Sequence, residues 1–185
     1  STFEGNATTP VATVHGIIPP GYTWYGTSST LNGMSVRDNV GYQSNRGLTL
    51  YDGAGGTGGW MAGIKKITSA SNNKTLEFRC KAAAIPAGGQ ISMRILGTIS
   101  GVEGVVFFLA IFPDGSIRKN TGASWSILAA AGTIPVGPTV AWKLIKIVAD
   151  ESANTASVYV DTVLKGTTTM YANYLNATTL TGFGF

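Results

Sequence analysis

Five polar residues at alternating positions of two predicted strands have the chemistry needed to hold a negatively charged ligand. They are Arg79, Lys81, Gln90, Ser92 and Arg94. Arginine can hold a carboxylate through two parallel hydrogen bonds, and lysine adds a flexible point charge. We therefore predict that the two strands are neighbours and that their polar face binds an acidic group, with Arg94 as the leading candidate. The competing interpretation is a solvated face, since antiparallel sheets often leave one side in water.

Three aromatic residues, Tyr51, Trp60 and Tyr159, form a second set of candidate contacts. An exposed aromatic ring offers a flat apolar surface at a small cost in side-chain entropy, and the C–H face of a sugar ring packs well against it. Trp60 follows the glycine-rich segment 53–59, which favours an exposed position. Trp142 instead opens a strongly hydrophobic run and is predicted to be a core residue.

The elements that position these residues are all predicted to be strands. Short β-branched and aromatic runs alternate with Gly, Pro and Asn clusters, a pattern typical of sandwiches. The strongest signal is the hairpin from Trp142 to Asp161, and Asp114-Gly115 predicts a tight turn. No segment carries a clear helix pattern. The predicted strands are 34–38, 46–51, 61–68, 74–83, 90–98, 104–112, 115–119, 124–129, 140–149, 155–161, 163–169 and 179–185.

Alternation within 76–81 and 91–95 predicts strands with one apolar and one polar face. Cys80 falls on the apolar side and is predicted to be a buried structural thiol. It is the only cysteine, so the chain forms no internal disulfide. A catalytic thiol is not expected, because the only histidine, His15, lies in a Gly/Pro-rich segment.

Length and composition predict one domain over residues 1–185. The chain is 44% hydrophobic, enough for a sizeable core, and only 12% charged, which suits a secreted protein. The net charge of +4 is spread out, with Lys65-Lys66 and Arg118-Lys119 predicted as plain surface charges. We therefore expect no nucleic-acid partner. No apolar run reaches the roughly 18 residues of a membrane span. A start at Ser1 without Met suggests a processed chain or an excised module.

Short motifs recur along nearly the whole chain: Phe3-Glu4, Pro20-Gly21-Tyr22-Thr23-Trp24, Gly47-Leu48-Thr49-Leu50-Tyr51-Asp52, Leu76-Glu77-Phe78-Arg79, Asp114-Gly115-Ser116-Ile117 and the Trp142 hairpin. Together they resemble the concanavalin A-like (laminin G-like) jelly-roll superfamily, especially polysaccharide-binding modules of bacterial carbohydrate-active enzymes. The resemblance implies an antiparallel β-sandwich of two curved sheets. It further implies a secreted, monomeric, non-catalytic module that targets an appended enzyme to a polysaccharide, with acidic xanthan-like polymers among the candidates.

The enzymatic alternatives within this superfamily require groups that the sequence lacks. Retaining glycosidases use two carboxylates about 5 Å apart, supplied there by the pattern Glu-x-Asp-x-(x)-Glu, which the nine acidic residues do not form. Lyases use Gln-Ile-His, and here Ser92 follows Gln90-Ile91, so proton abstraction would lack its partner. We therefore expect the protein to have no enzymatic activity. The alternatives are a phage or adhesin structural or receptor-binding domain and, against the pattern, a polysaccharide lyase.

No cofactor is expected from the residues themselves. The resemblance allows a structural calcium ion bound by carboxylates and loop carbonyls. Glu4 and Asp52 are the candidate ligands, and neither lies in an acidic cluster.

Overall fold

The computed structural model describes the backbone of residues 23–25, 32–38, 46–52, 63–170 and 177–185, and the side chains of residues 68–170 and 179–185. Contacts divide the chain into two compact units, Ser1–Ile67 and Thr68–Phe185. The prediction of one domain over residues 1–185 stays a prediction.

Strands account for most of the described residues. The first unit contains β1 (Thr23–Tyr25), β2 (Asn32–Asp38), β3 (Arg46–Asp52) and the start of β4 (Gly63–Ser71). In it β1 pairs with β4 and β2 pairs with β3, both antiparallel. The second unit contains the end of β4, then β5 (Asn73–Cys80), β6 (Ile91–Ile99), β7 (Val102–Ile111), β8 (Ile117–Asn120), β9 (Trp125–Ala129), β10 (Lys143–Asp150), β11 (Thr155–Val160), β12 (Val163–Thr169) and β13 (Ala177–Gly184).

The second unit is an antiparallel β-sandwich, as the sequence predicts. Its large sheet has the order β4-β13-β6-β7-β8-β9, and its small sheet has the order β12-β11-β10-β5. The described residues contain no helix, so the all-β prediction is confirmed for that part of the chain. In the same residues, no helix has the length and hydropathy that crossing a bilayer requires.

Alternate residues of both sheets form the core. Ile145 and Ile147 of the small sheet and Met93 and Ile95 of the large sheet are each at most 1% exposed. They recur at every second position because successive side chains of a strand point to opposite faces. The alternation predicted for 91–95 is therefore confirmed.

Cys80 packs against this core, as predicted for a structural thiol. Burial, with a smaller contribution from the nearby Asp161 carboxylate, raises the pKa of Cys80 to about 12. The thiol therefore stays protonated at neutral pH, and a protonated thiol is a poor nucleophile.

Lys119 corrects one prediction, since it is not a surface charge but is 4% exposed. Its ammonium donates hydrogen bonds to the Thr169 carbonyl at 2.6 Å and to the hydroxyls of Thr168 and Thr169. Burial lowers the pKa of Lys119. These bonds join β8 of the large sheet to β12 of the small sheet. The prediction was wrong because the sequence does not show which strand of the other sheet lies nearby.

The turn between β7 and β8 matches the predicted Asp114-Gly115 turn and depends on glycine. Gly115 has a φ of 74°, and a Cβ there would lie 2.2 Å from the Ile134 carbonyl oxygen. The Asp114 carboxylate accepts hydrogen bonds from the Ser116 hydroxyl at 2.6 Å, from the Ser116 amide and from Arg118. These bonds, those from Ser116 above all, lower the pKa of Asp114 to about 2.

Replacing Gly115 with alanine should destabilise the second unit by about 2–5 kcal/mol, because a left-handed backbone and a backbone clash act together. Gly101→Ala is the matched control, since its φ is 82° and nothing lies within 4 Å of its added Cβ. That control should lose only about 1–2 kcal/mol. Urea unfolding of the two variants measures both losses, and equal losses would contradict the predicted clash.

Candidate functional site

A row of four side chains crosses the outer face of the small sheet. From edge to edge it consists of Glu77 on β5, Lys146 on β10, Tyr159 on β11 and Leu164 on β12. Lys146 is the register partner of both Glu77 and Tyr159, and Tyr159 is the partner of Leu164. We call these four residues the cross-strand row.

The row faces outward because the core takes the other parity of each strand. On β10, Ile145 and Ile147 are buried, so Lys146 between them points away from the core. On β11, Val158 and Val160 are buried, so Tyr159 points the same way. The outward positions of Lys146 and Tyr159 therefore follow from the buried apolar residues beside them.

A shallow depression of 230 Å³ lies along part of the row and is lined by Glu77, Leu144, Lys146, Tyr159 and Thr162. Enclosed ligand pockets typically measure about 300–1,000 Å³, so this site is smaller and more open. The Lys146 ammonium lies 6.0 Å from the centre of the Tyr159 ring. Within the described residues, the side chains of Glu77, Lys146 and Tyr159 have no hydrogen-bond or ion-pair partner. Their polar groups are therefore available to a ligand.

A β-bulge beside Tyr159 shapes the edge of the row. Val158 and Tyr159 are consecutive, but their partners on β12 are Gly166 and Leu164. Lys165 is the extra residue and is exposed. Bulges bend a strand and redirect its side chains, and they are frequent next to functional sites. The bulge leaves Gly166 opposite the buried Val158 and Leu164 opposite the outward Tyr159.

The turn between β11 and β12 borders the depression and is strained. Asp161 and Thr162 have φ values of 49° and 71°, as in a type I′ hairpin turn. Such turns favour Asn-Gly or Asp-Gly, and a β-branched residue with positive φ is a true outlier. Strained backbone of this kind is concentrated at binding and active sites.

Two contacts of the Asp161 carboxylate hold the strained turn in place. Lys143 donates to it at 2.6 Å, and the Leu144 amide donates to it at 3.0 Å. The hydrogen bond from Lys143 is the main reason that the pKa of Asp161 is lowered. The carboxylate is therefore ionised at neutral pH and fixes the turn against the start of β10.

The structure places Tyr159 and Arg79, two of the predicted contacts, on the same outer face. Arg79 is the register partner of Leu144, which lines the depression. Lys81, a third predicted contact, is exposed one residue beyond the end of β5.

Gln90, Ser92 and Arg94 lie elsewhere, so the prediction of a polar face shared with Arg79 was wrong. Ser92 and Arg94 lie on β6 of the large sheet, which pairs with β7 and β13, and Gln90 directly precedes β6, whereas β5 pairs with β10 in the small sheet. The Gln90 amide donates to the Ser92 hydroxyl at 3.3 Å, and the Arg94 guanidinium lies 4.9 Å from the centre of the Phe108 ring. Alternation predicts a strand's faces but not its neighbours.

Several predicted residues lie outside what the structure describes. The backbone of Tyr51 pairs with Gly33, but its side chain is outside the described residues, as are Trp60, Glu4 and the side chain of Asp52. Within the described residues, no three His, Cys, Asp or Glu side chains form a group that could hold a metal ion. The calcium site therefore stays a prediction.

Trp142 corrects the prediction of a core residue. It is half-buried and does not belong to the core cluster. The buried residues of β10 are Ile145, Ile147 and Ala149, and Trp142 lies one residue before this strand begins.

Sequence reasoning missed Lys146, Glu77, Leu164 and Thr162 as members of the site. Lys143 and Lys146 resemble an alternating pair in the sequence, but they are three positions apart and therefore point to opposite faces of the strand. Counting outward from the hairpin turn would have paired Lys146 with Tyr159, because a hairpin fixes its own register. Glu77 and Leu164 carry no comparable signal, since their strands are joined to this pair by tertiary pairing or by a bulge.

Comparisons with known proteins give fold likenesses only. No protein-family model matches the chain, and no curated protein gives a significant match. One similar solved structure is a sialidase, with 17% identity over 67% of this chain and 10% of the sialidase chain, at a TM-score of 0.48. Another is domain 4 of AbnA, a GH43 extracellular arabinanase from Geobacillus stearothermophilus in complex with arabinotriose, with 14% identity over 89% of this chain and 72% of that one, at a TM-score of 0.48. Both are parts of carbohydrate-active enzymes, and at this level of similarity neither bears on the function of this chain.

Replacing Thr162 with glycine should stabilise the protein by about 1 kcal/mol, because it creates the Asp-Gly pair that a type I′ turn favours. Thr162→Ala is the control, since it removes the hydroxyl but keeps a Cβ at positive φ. Chemical denaturation of both variants measures the difference. If the glycine variant is no more stable than the alanine variant, the turn is not strained.

Proposed function

We propose that this protein is a non-catalytic carbohydrate-binding module whose glycan contact is the cross-strand row. The observation that carries the proposal is the outward Tyr159 ring with Lys146 on one side and Leu164 on the other. The sheet fixes the backbone of all three on a single face, so the backbone needs no ordering when a ligand binds.

The chemistry of the row complements that of a sugar. A pyranose ring has an apolar C–H face and an edge of hydroxyl groups. Tyr159 and Leu164 offer apolar surface to the C–H face. Lys146 can donate hydrogen bonds to ring hydroxyls and Glu77 can accept them, and both side chains are unpaired within the described residues.

The shape of the site favours binding over cleavage. Among the described residues that line the depression, Glu77 is the only carboxylate, whereas retaining glycosidases need two about 5 Å apart. An open site of this size supports weak binding, with dissociation constants on the order of micromolar to millimolar. Attachment to a catalytic domain in a secreted protein would turn such weak binding into useful targeting by raising the local concentration.

Charge near the row supports an acidic polymer, such as a xanthan-like one, as the ligand. Lys146 and Lys165 are cations at or next to the row, and Glu77 is the one carboxylate of the row itself. The nearby Asp161 carboxylate is already neutralised by Lys143. Carboxylates along a polysaccharide would meet this excess of positive charge.

Tyr159→Ala should weaken polysaccharide binding at least about tenfold, because it removes the aromatic surface. Tyr159→Phe keeps the ring and should stay within about fivefold of the unmodified protein. Affinity electrophoresis in xanthan, alginate, pectin and arabinan gels identifies the ligand, and isothermal titration with the polymer that retards the protein measures the change.

Arg94→Ala tests the competing surface on the large sheet. It should leave binding unchanged, with circular dichroism confirming that the variant folds. Loss of binding in Arg94→Ala together with normal binding in Tyr159→Ala would place the site on the large sheet. Absence of retardation in all four polymers would contradict the proposed function.

A further inference from the structure

The cross-strand row extends across the whole width of the small sheet. Its first member lies on β5 and its last on β12, the two edge strands of that sheet. Adjacent strands lie about 4.8 Å apart, so four strands give a row about 14 Å long, enough for about three sugar rings laid end to end. Glu77 and Leu164, at its ends, are both exposed.

The apolar surface continues beyond the depression toward β12. In the part of the chain whose side chains are described, four large apolar side chains are more than half exposed: Val102, Ile127, Val163 and Leu164. Leu164 lies at the edge of the small sheet opposite Tyr159, whereas Val163 lies opposite the buried Val160, and neither lines the depression. Leu164 therefore extends the apolar surface of Tyr159 toward β12 on the outer face.

The polar groups on either side of this row are less available to a ligand. On one side the Ser157 and Thr167 hydroxyls are 2.8 Å apart and satisfy each other. On the other side the Asp161 carboxylate is occupied by Lys143 and the Leu144 amide. A ligand that follows unpaired polar and exposed apolar groups therefore runs across the strands rather than along them.

We infer that the row binds an internal stretch of a linear polysaccharide laid across the strands, with three consecutive sugars in contact. One sugar lies between Glu77 and Lys146, the next on Tyr159, and the third on Leu164. Because both ends of the row are exposed, the chain continues past each edge, and no chain terminus is recognised. This inference rests on the proposed function and specifies the length and direction of its ligand.

A length series tests the inference. Oligosaccharides of one to six residues are cut from whichever of xanthan, alginate, pectin and arabinan binds the protein, and each is titrated by calorimetry. Affinity should rise at least about tenfold from one residue to three, as contact area grows, and then change by less than about threefold up to six. The intact polymer with both of its termini chemically blocked should bind as well as the six-residue fragment.

Leu164→Ala should reduce the increase in affinity between the two-sugar and three-sugar fragments by about threefold or more. It should leave the affinity for a single sugar unchanged. Ile127→Ala is the matched control, since Ile127 is 68% exposed but lies on the large sheet. It should leave the whole series unchanged.

The outcomes separate the two proposals. No binding to any polymer overturns the proposed function and this inference together. If binding is lost in Tyr159→Ala but the affinity does not change with oligosaccharide length, only the inference is overturned. The same holds if binding requires a free chain terminus. An equal effect of Leu164→Ala and Ile127→Ala also overturns it, because the third sugar would then not lie on Leu164.

Discussion

Burial of every second side chain between two sheets is the constraint on which the rest of the structure depends. Once Ile145, Ile147 and Val158 enter the core, the residues between them must point to the opposite face, because the side-chain period of a strand is two. A slip of one residue in β10 would bury Lys146 without a partner. The large cost of burying an unpaired charge therefore fixes the register of the site along with that of the core.

Specific contacts hold the strand next to the site against the rest of the sandwich. Lys119 reaches from β8 to the carbonyl of Thr169 on β12. Gly166 lets the same strand approach β9, because a Cβ there would lie 2.7 Å from the Leu128 side chain. The strained turn at Thr162 is tied down by the hydrogen bonds of Asp161. The backbone strain at Thr162 is thus maintained by neighbouring residues whose hydrogen bonds are formed.

The outer face of the small sheet is an open platform rather than an enclosed cavity. Such a platform suits a ligand that is itself long and flat, because affinity accumulates over several shallow contacts instead of one deep one. The unpaired side chains of Lys146 and Glu77 add directional hydrogen-bonding groups to an otherwise apolar surface. Hydrogen bonds restrict where the hydroxyl groups of a ligand can lie. The charge excess around them arises because Lys143 already neutralises Asp161.

The sequence by itself determined most of the strands and their faces, the inert thiol at Cys80 and the turn at Gly115, because these depend on local alternation and turn chemistry. It also named Tyr159 as a candidate ligand contact. Only the tertiary structure decided that Arg79 and Arg94 belong to different sheets, that Lys119 is buried against β12, and that Glu77 and Leu164 join Lys146 and Tyr159 in one row. The physical reason is that alternation fixes which way a side chain points, whereas strand order and bulges depend on pairing between segments far apart in the chain.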